Sequence, residues 1–207
     1  MDNLCKKLFL ILCFIIPVTL FASDDCLSYK LNPNVNMTIT RWSKSVVQPL
    51  EPMDLLHGNV IATMVDNYDI TADITSIEDG FCVGLKSVDA LVGYADFLVQ
   101  IDIRHPVDSC AYNAILAHED EHIRAYLSVI DDNLELLQQS VYSAADSIIP
   151  IFVRTSDEID SAVDKLNEQL QSHPDLILAK QKIHADEEIR NKRIDQNENN
   201  FRLKQCM

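Results

Sequence analysis

His118 and His122 stand four positions apart, with Glu119 directly after the first and Asp120 and Glu121 between them. Four residues make about one turn of an α-helix, so the two imidazoles share a face, with Cβ atoms about 5–6 Å apart, and can reach one ion. Zn²⁺ in hydrolases commonly takes three protein ligands and leaves a fourth position to water, whose pKa it lowers to about 7. A neighbouring carboxylate, here Glu119, can accept the water's proton and pass it to a leaving amine. The pattern therefore points to metal-assisted hydrolysis with Zn²⁺ as cofactor. A solvated acidic helix turn would account for Asp120 and Glu121, but gives no reason for two histidines at this spacing.

Such a site needs a rigid helix beneath it. Ile123, Leu127, Ile130, Leu134, Leu137, Val141, Ala144 and Ile148 step by four and three, the seam of a helix packed lengthwise on another. Asp108 or Ser109 can cap its start and Pro150 ends it, giving about forty residues. Thr155 with Glu158 reads as a capping box opening a second helix through Gln171. Ser172-His173-Pro174-Asp175 then kinks or restarts the chain, and a last helix fills most of Leu176 to Lys204.

Before His105-Pro106 the texture is that of strands, and after it no strand signal appears. Tyr68 to Ile74 alternates apolar and polar residues, and Asp79-Gly80 supplies a hairpin turn before Phe81-Cys82-Val83. Another alternating run spans Tyr94 to Arg104, with Ala95, Phe97, Val99, Ile101 and Ile103 on one face, and Val35, Met37 and Ile39 mark an earlier strand. Trp42 reads as a core anchor. The expected fold is α+β: an N-terminal antiparallel β-sheet over 23–108, then a long C-terminal helical hairpin over 109–207 carrying the His-Glu-x-x-His motif, in one compact domain.

Lys6 and Lys7 precede an apolar run from Leu8 to Ile16, and Leu20-Phe21-Ala22 ends in a small residue. This is the pattern of a signal peptide over 1–22 with cleavage after Ala22, so an exported protein, periplasmic or secreted, is expected, without stable membrane insertion after cleavage. The precursor has 17 basic and 32 acidic residues; the peptide takes Lys6, Lys7 and Asp2 with it, leaving 15 against 31 and a net charge of −16. So acidic a surface repels phosphate backbones, and nucleic acid is not an expected partner. Cys26, Cys82, Cys110 and Cys206 remain after cleavage, an even number suited to two disulfides in an oxidising compartment. Of the three pairings, Cys110 with Cys206 and Cys26 with Cys82 are favoured.

The third zinc ligand is narrowed but not fixed. A metzincin would continue with glycine and histidine where this chain has Ala125 and Ser128, so a carboxylate from a later helix is the open arrangement. On the last helix Ile183, Ile194 and Phe201 mark an apolar stripe that also carries Glu187, Arg190 and Asn197. A hairpin about residues 150–155, continued straight by the last helix, puts Glu187 level with His118. Antiparallel helices joined by Cys110–Cys206 instead put Glu198 beside His118, Ile194 beside His122 and Asp195 adjacent. One of Glu187 and Asp195 is the expected ligand, with His184 and His105 also within consideration. Tyr126 and Arg124 are candidates for steadying an oxyanion, and an edge of the Tyr94–Arg104 strand could pair with an extended peptide.

Cys110-x-Tyr112, Ala117-His118-Glu119-x-x-His122, Ile194-Asp195 and the closing Cys206 resemble a group of small exported bacterial proteins regarded as zincin-type zinc metallopeptidases of unknown substrate. The resemblance covers roughly the last hundred residues and is carried chiefly by the His-Glu-x-x-His core. It implies zinc on His118 and His122, Glu119 as general base and Asp195 as a further site residue; similar proteins have histidine where this chain has Asn191. The expected function is an exported zinc-dependent hydrolase of the peptidase type acting on a peptide or protein. The alternative is a non-catalytic periplasmic binding or envelope-structural protein whose helical hairpin engages a partner and whose metal site is inert or structural. A di-metal carboxylate bundle would require a second Glu-x-x-His, which the chain lacks.

Overall fold

The computed structural model describes residues 24–41, 44–47, 52, 57–198 and 206. The segment 1–22 expected as a signal peptide, Trp42, the side chains of Asn197 and Glu198 and the stretch with Phe201 lie outside this description. The sheet is built around one strand. β1 (Asn34–Arg41), β2 (Lys44–Val47), β3 (Gly58–Ile77) and β5 (Ile151–Val153) all hydrogen-bond to β4 (Gly80–Ile101). β3 and β4 form a long antiparallel hairpin in which Ile77 faces Gly80 across a two-residue turn. Gly80 has φ +156°, and a Cβ there would lie 2.2 Å from the carbonyl oxygen of Val153, so only glycine lets β5 approach the turn.

β3 occupies one edge of β4 along its length. The other edge is shared end to end by β5 at Phe81–Val83, β1 at Ser87–Tyr94 and β2 at Phe97–Gln100. The antiparallel sheet expected from alternation is corrected here, because β1 and β2 run parallel to β4 while β3 and β5 run antiparallel. Two reversals separate β2 from β4, one before β3 and one at Glu78-Asp79, which restores the original direction. β2 and β3 also flank Phe97–Gln100 on both sides, so the free peptide-binding edge expected on the Tyr94–Arg104 strand is absent there. Among the described residues the outer edge of β3 has no strand partner.

Two irregularities set which side chains β4 buries. Met64 pairs with Tyr94 and Thr63 with Asp96, and Thr71 pairs with Ser87 and Ala72 with Leu85, so Ala95 and Lys86 are the extra residues of two bulges. Tyr94 and Phe97 thereby share the covered face, 1% and 0% exposed. The expected Ala95 to Ile103 stripe is corrected accordingly: Phe97, Val99 and Ile101 are buried, Ala95 is half-buried and Ile103, beyond the strand, is exposed.

Helices cover that face. α1 (Cys110–Ser147) starts at Ser109, whose hydroxyl accepts from the Tyr112 N–H at 3.1 Å, satisfying one of the unpaired donors of the first turn. Lys44 pairs with Asp120 at 2.6 Å and Arg41 with Asp131, tying the first strands to the helix. After Pro150 comes β5, a strand absent from the expectation because its three residues are too few for a periodic signal. The carboxylate of Glu158 accepts from the backbone N–H groups of Arg154 and Thr155 at 2.9 and 3.2 Å, as the capping box requires. α2 (Ile159–Gln171) follows, and α3 (Pro174–Glu198) restarts at a proline whose missing N–H needs no partner in a first turn.

α1 packs along α3 rather than chiefly along α2. Ser143 donates to Asp175 at 2.6 Å near one end, and Arg190 to Asp132 at 2.5 Å further along, so the two helices are antiparallel. Val88, Val92 and Val99 of β4, Val129, Leu137 and Val141 of α1, Leu166 of α2, and Leu176 and Ile183 of α3 fill one shared core. Cys26 bonds to Cys82 and Cys110 to Cys206, the favoured pairings. No described helix is long and apolar enough to cross a membrane.

Candidate metal centre

The antiparallel packing of α1 and α3 aligns two stripes of the same step. His118, His122 and Tyr126 follow one another by four residues on α1, and Asp195, Asn191 and Glu187 do so in reverse on α3. At the first rung Nε2 of His118 lies 3.6 Å from an Asp195 oxygen, and Nε2 of His122 lies 3.2 Å from the same oxygen. The two Nε2 atoms are 3.2 Å apart. At the second rung Nδ1 of His122 lies 2.8 Å from Oδ1 of Asn191. At the third, Tyr126 lies within electrostatic reach of Glu187. Beyond it both stripes turn apolar, with Ile130 and Ile183 buried.

His118, His122 and Asp195 are the only such group of potential metal ligands among the described residues. Donor atoms bonded at about 2.0–2.1 Å to one tetrahedral ion stand about 3.4 Å from one another, and the three separations here bracket that value. Two imidazoles and a carboxylate also form a donor set that zinc favours. Two imidazole lone pairs and an anionic oxygen converging on one point repel unless a proton or a cation lies between them.

Glu119 is 4% exposed and is not one of the three converging groups. Burial pushes its carboxyl up to about 7; the positive influence of His122 opposes this, and the charges of Asp195 and Asp120 add to it. Its seat is formed by Gly58 at the start of β3: a Cβ there would lie 2.6 Å from Glu119 Oε1 and 2.4 Å from Ile115 Cγ2. Sequence reasoning missed Gly58, since a close approach between distant segments leaves no local pattern.

Glu187, the other candidate ligand, stands two turns of α3 from Asp195 and accepts the hydroxyl proton of Tyr94 in a hydrogen bond. The geometry that set it level with His118 assumed a hairpin turning at residues 150–155, whereas Ser143 meets Asp175 and Asp132 meets Arg190, a register shifted along α3 that sets Asp195 rather than Glu187 beside the histidines. Burial and the Glu187 carboxylate push the Tyr94 phenol well above its usual range. No family model, curated protein or solved structure matches this chain. The assignment of a role therefore rests on the geometry.

The remaining candidates scatter. His184 is exposed and faces Glu187 and Glu188 at 3.7 and 3.5 Å. His105 lies 3.0 Å from His57, Nε2 to Nδ1, and burial lowers its pKa. Arg124 is on the surface beside Glu121. Tyr126 packs its ring on Tyr94 and Phe97, with centroids 5.4 and 6.1 Å away. Burial, then the charges of Glu187, Asp195 and Glu119, raises its phenol.

Proposed function

We propose that the protein is a zinc-dependent hydrolase of the peptidase type, with His118, His122 and Asp195 as metal ligands and Glu119 as general base. One observation carries this reading: three donor atoms of zinc-favoured type converge at 3.2–3.6 Å, with a buried carboxyl on the residue after the first histidine. Zinc bound there would supply the Lewis acid that polarises a scissile carbonyl and acidifies water. Glu119, screened from bulk solvent and seated on Gly58, takes the proton from the attacking water and delivers it to the departing amine. Burial of the carboxyl keeps the transferred proton from being lost to solvent before it reaches the leaving group.

A peptide is the substrate class best supported. The outer edge of β3, unpaired among the described residues, begins at Gly58 against Glu119, and such an edge can hydrogen-bond an extended chain. The excess of 32 acidic over 17 basic residues speaks against nucleic acid. The signal-peptide pattern and the two disulfides support action outside the cytoplasm.

Zinc content of the oxidised mature protein, measured by elemental mass spectrometry beside His122→Ala, tests the site. About one zinc per chain is expected in the parent, and none in the variant. Glu119→Gln should retain the metal while lowering turnover of a peptide library by about 10²–10⁴-fold. A parent that takes up no zinc after it is offered would overturn the reading. Zinc retention with no turnover in either protein would favour a metal that merely clamps α1 to α3.

A further inference from the structure

A histidine can give its Nε2 lone pair to a metal only when Nδ1 carries the ring proton, and a buried N–H needs an acceptor. On α1, the Nε2 of His122 faces His118 and Asp195, and its Nδ1 faces a different residue of α3. There the side-chain oxygen of Asn191 stands 2.8 Å away. Asn191 lies one turn before Asp195 on the same stripe. One helix thus presents both a ligand and the group that orients another ligand.

We infer that Asn191 is a positioning residue: it accepts the Nδ1 proton of His122, fixes that ring in the tautomer with a free Nε2, and so presets the site for a divalent cation such as zinc. The inference rests on the metal reading of His118, His122 and Asp195 given above. The rest of the α1–α3 seam supplies the rigidity this requires. Arg190, the preceding residue, donates to Ser128 at 2.6 Å and to Asp132 at 2.5 Å, and Asn133 donates to Asp186 at 3.1 Å. These contacts hold α3 in longitudinal register against α1, and with it the amide of residue 191 opposite the ring of residue 122.

An amide and a carboxylate differ in what they do here. Both accept the Nδ1 proton, but a carboxylate adds negative charge behind the ring and makes it a stronger donor. Leucine fills similar space and accepts nothing. Zinc affinity should therefore fall about 10–100-fold in Asn191→Leu and be retained or increased in Asn191→Asp. A residue that only packs between helices would show the opposite order, since leucine packs there more readily than a second acid beside Asp195.

The experiment is a zinc competition titration against a chromophoric chelator on the parent, Asn191→Leu and Asn191→Asp, with ¹⁵N spectra of the ring nitrogens of His122 in the metal-free parent. The expected result is weak binding for leucine, restored binding for aspartate, and an Nδ1-protonated ring before zinc is added. Equal affinity in parent and Asn191→Leu, or an Nε2-protonated ring in the metal-free parent, overturns the inference while leaving the metal site standing. No zinc binding by the parent overturns the metal reading itself. The tautomer measurement needs no substitution, so it decides the role of Asn191 even if a variant does not fold.

Discussion

The hydroxyl of Tyr68 is a buried side-chain oxygen with no hydrogen-bond partner among the described residues. The ring faces α3, with the ammonium of Lys180 4.8 Å from its centroid and Lys180 paired to Asp66 at 2.5 Å. An unsatisfied buried hydroxyl costs about 1–3 kcal/mol, whereas phenylalanine keeps the ring and the cation above it. Tyr68→Phe is expected to raise stability by about 1 kcal/mol in urea titration. Burial, then the Asp66 charge, raises the Tyr68 phenol to about 12, while an unfolded tyrosine ionises near about 10. The folded protein holds this proton across that window and the unfolded chain does not, so stability falls as pH rises from 10 to 12. Tyr68→Phe should flatten that decline, as followed by circular dichroism. At this scale spacing made it legible that His118 and His122 share one helix face, and the structure brings them together with Asp195. Asp195 emerged among several acids from helix arithmetic. Asn191 was missed as a partner of His122, because an asparagine becomes meaningful only when another helix sets a ring nitrogen opposite it.

Elements were more legible than their pairing. Ser109, the Thr155–Glu158 box and Pro174 mark helix ends by local hydrogen-bond needs, and all three act as those needs dictate. Strand direction has no such local signature, and neither do the bulges at Lys86 and Ala95 that break strict alternation in β4. The contact between β3 and α1 is likewise invisible until the fold forms, and it has a testable consequence at Gly58. A methyl group there overlaps both Ile115 and the Glu119 carboxylate, forcing strand and helix apart. Gly58→Ala is expected to cost about 1–3 kcal/mol of stability and to displace Glu119 while His118, His122 and Asp195 stay together. Thermal melting and zinc content measured side by side check this: a lowered melting temperature with unchanged zinc is the expected pair.

For the whole molecule, Cys110–Cys206 joins the start of α1 to the region beyond α3 across a separation of 96 residues. A loop of that length, closed in the unfolded chain, is worth about 2–5 kcal/mol to the folded state. The same link holds the two helix ends that bring Asp195 to the histidines. Replacing both cysteines by serine should lower stability by about that amount and weaken zinc binding as well, measured by denaturant titration and chelator competition. Serines at Cys26 and Cys82 should reduce stability with little effect on zinc, because that bond ties the segment before β1 to β4, away from α3.

The dependence of every other strand on β4 also constrains how the chain matures. A polypeptide emerges N-terminus first, so residues 34–77 appear before any strand with which they pair. Among the described residues β1, β2 and β3 have no strand partner until Gly80–Ile101 follows. Once β4 arrives, β3 can close on it across a turn of two residues, while β1 and β2 must find the opposite edge over a longer span of chain. Cys26 waits in the same way for Cys82, and Cys110 for Cys206, one residue from the end. Each of the four bonded cysteines pairs with its neighbour in chain order, so a chain emerging N-terminus first offers Cys26 its partner Cys82 before Cys110 appears, and the native pairs form without disulfide exchange.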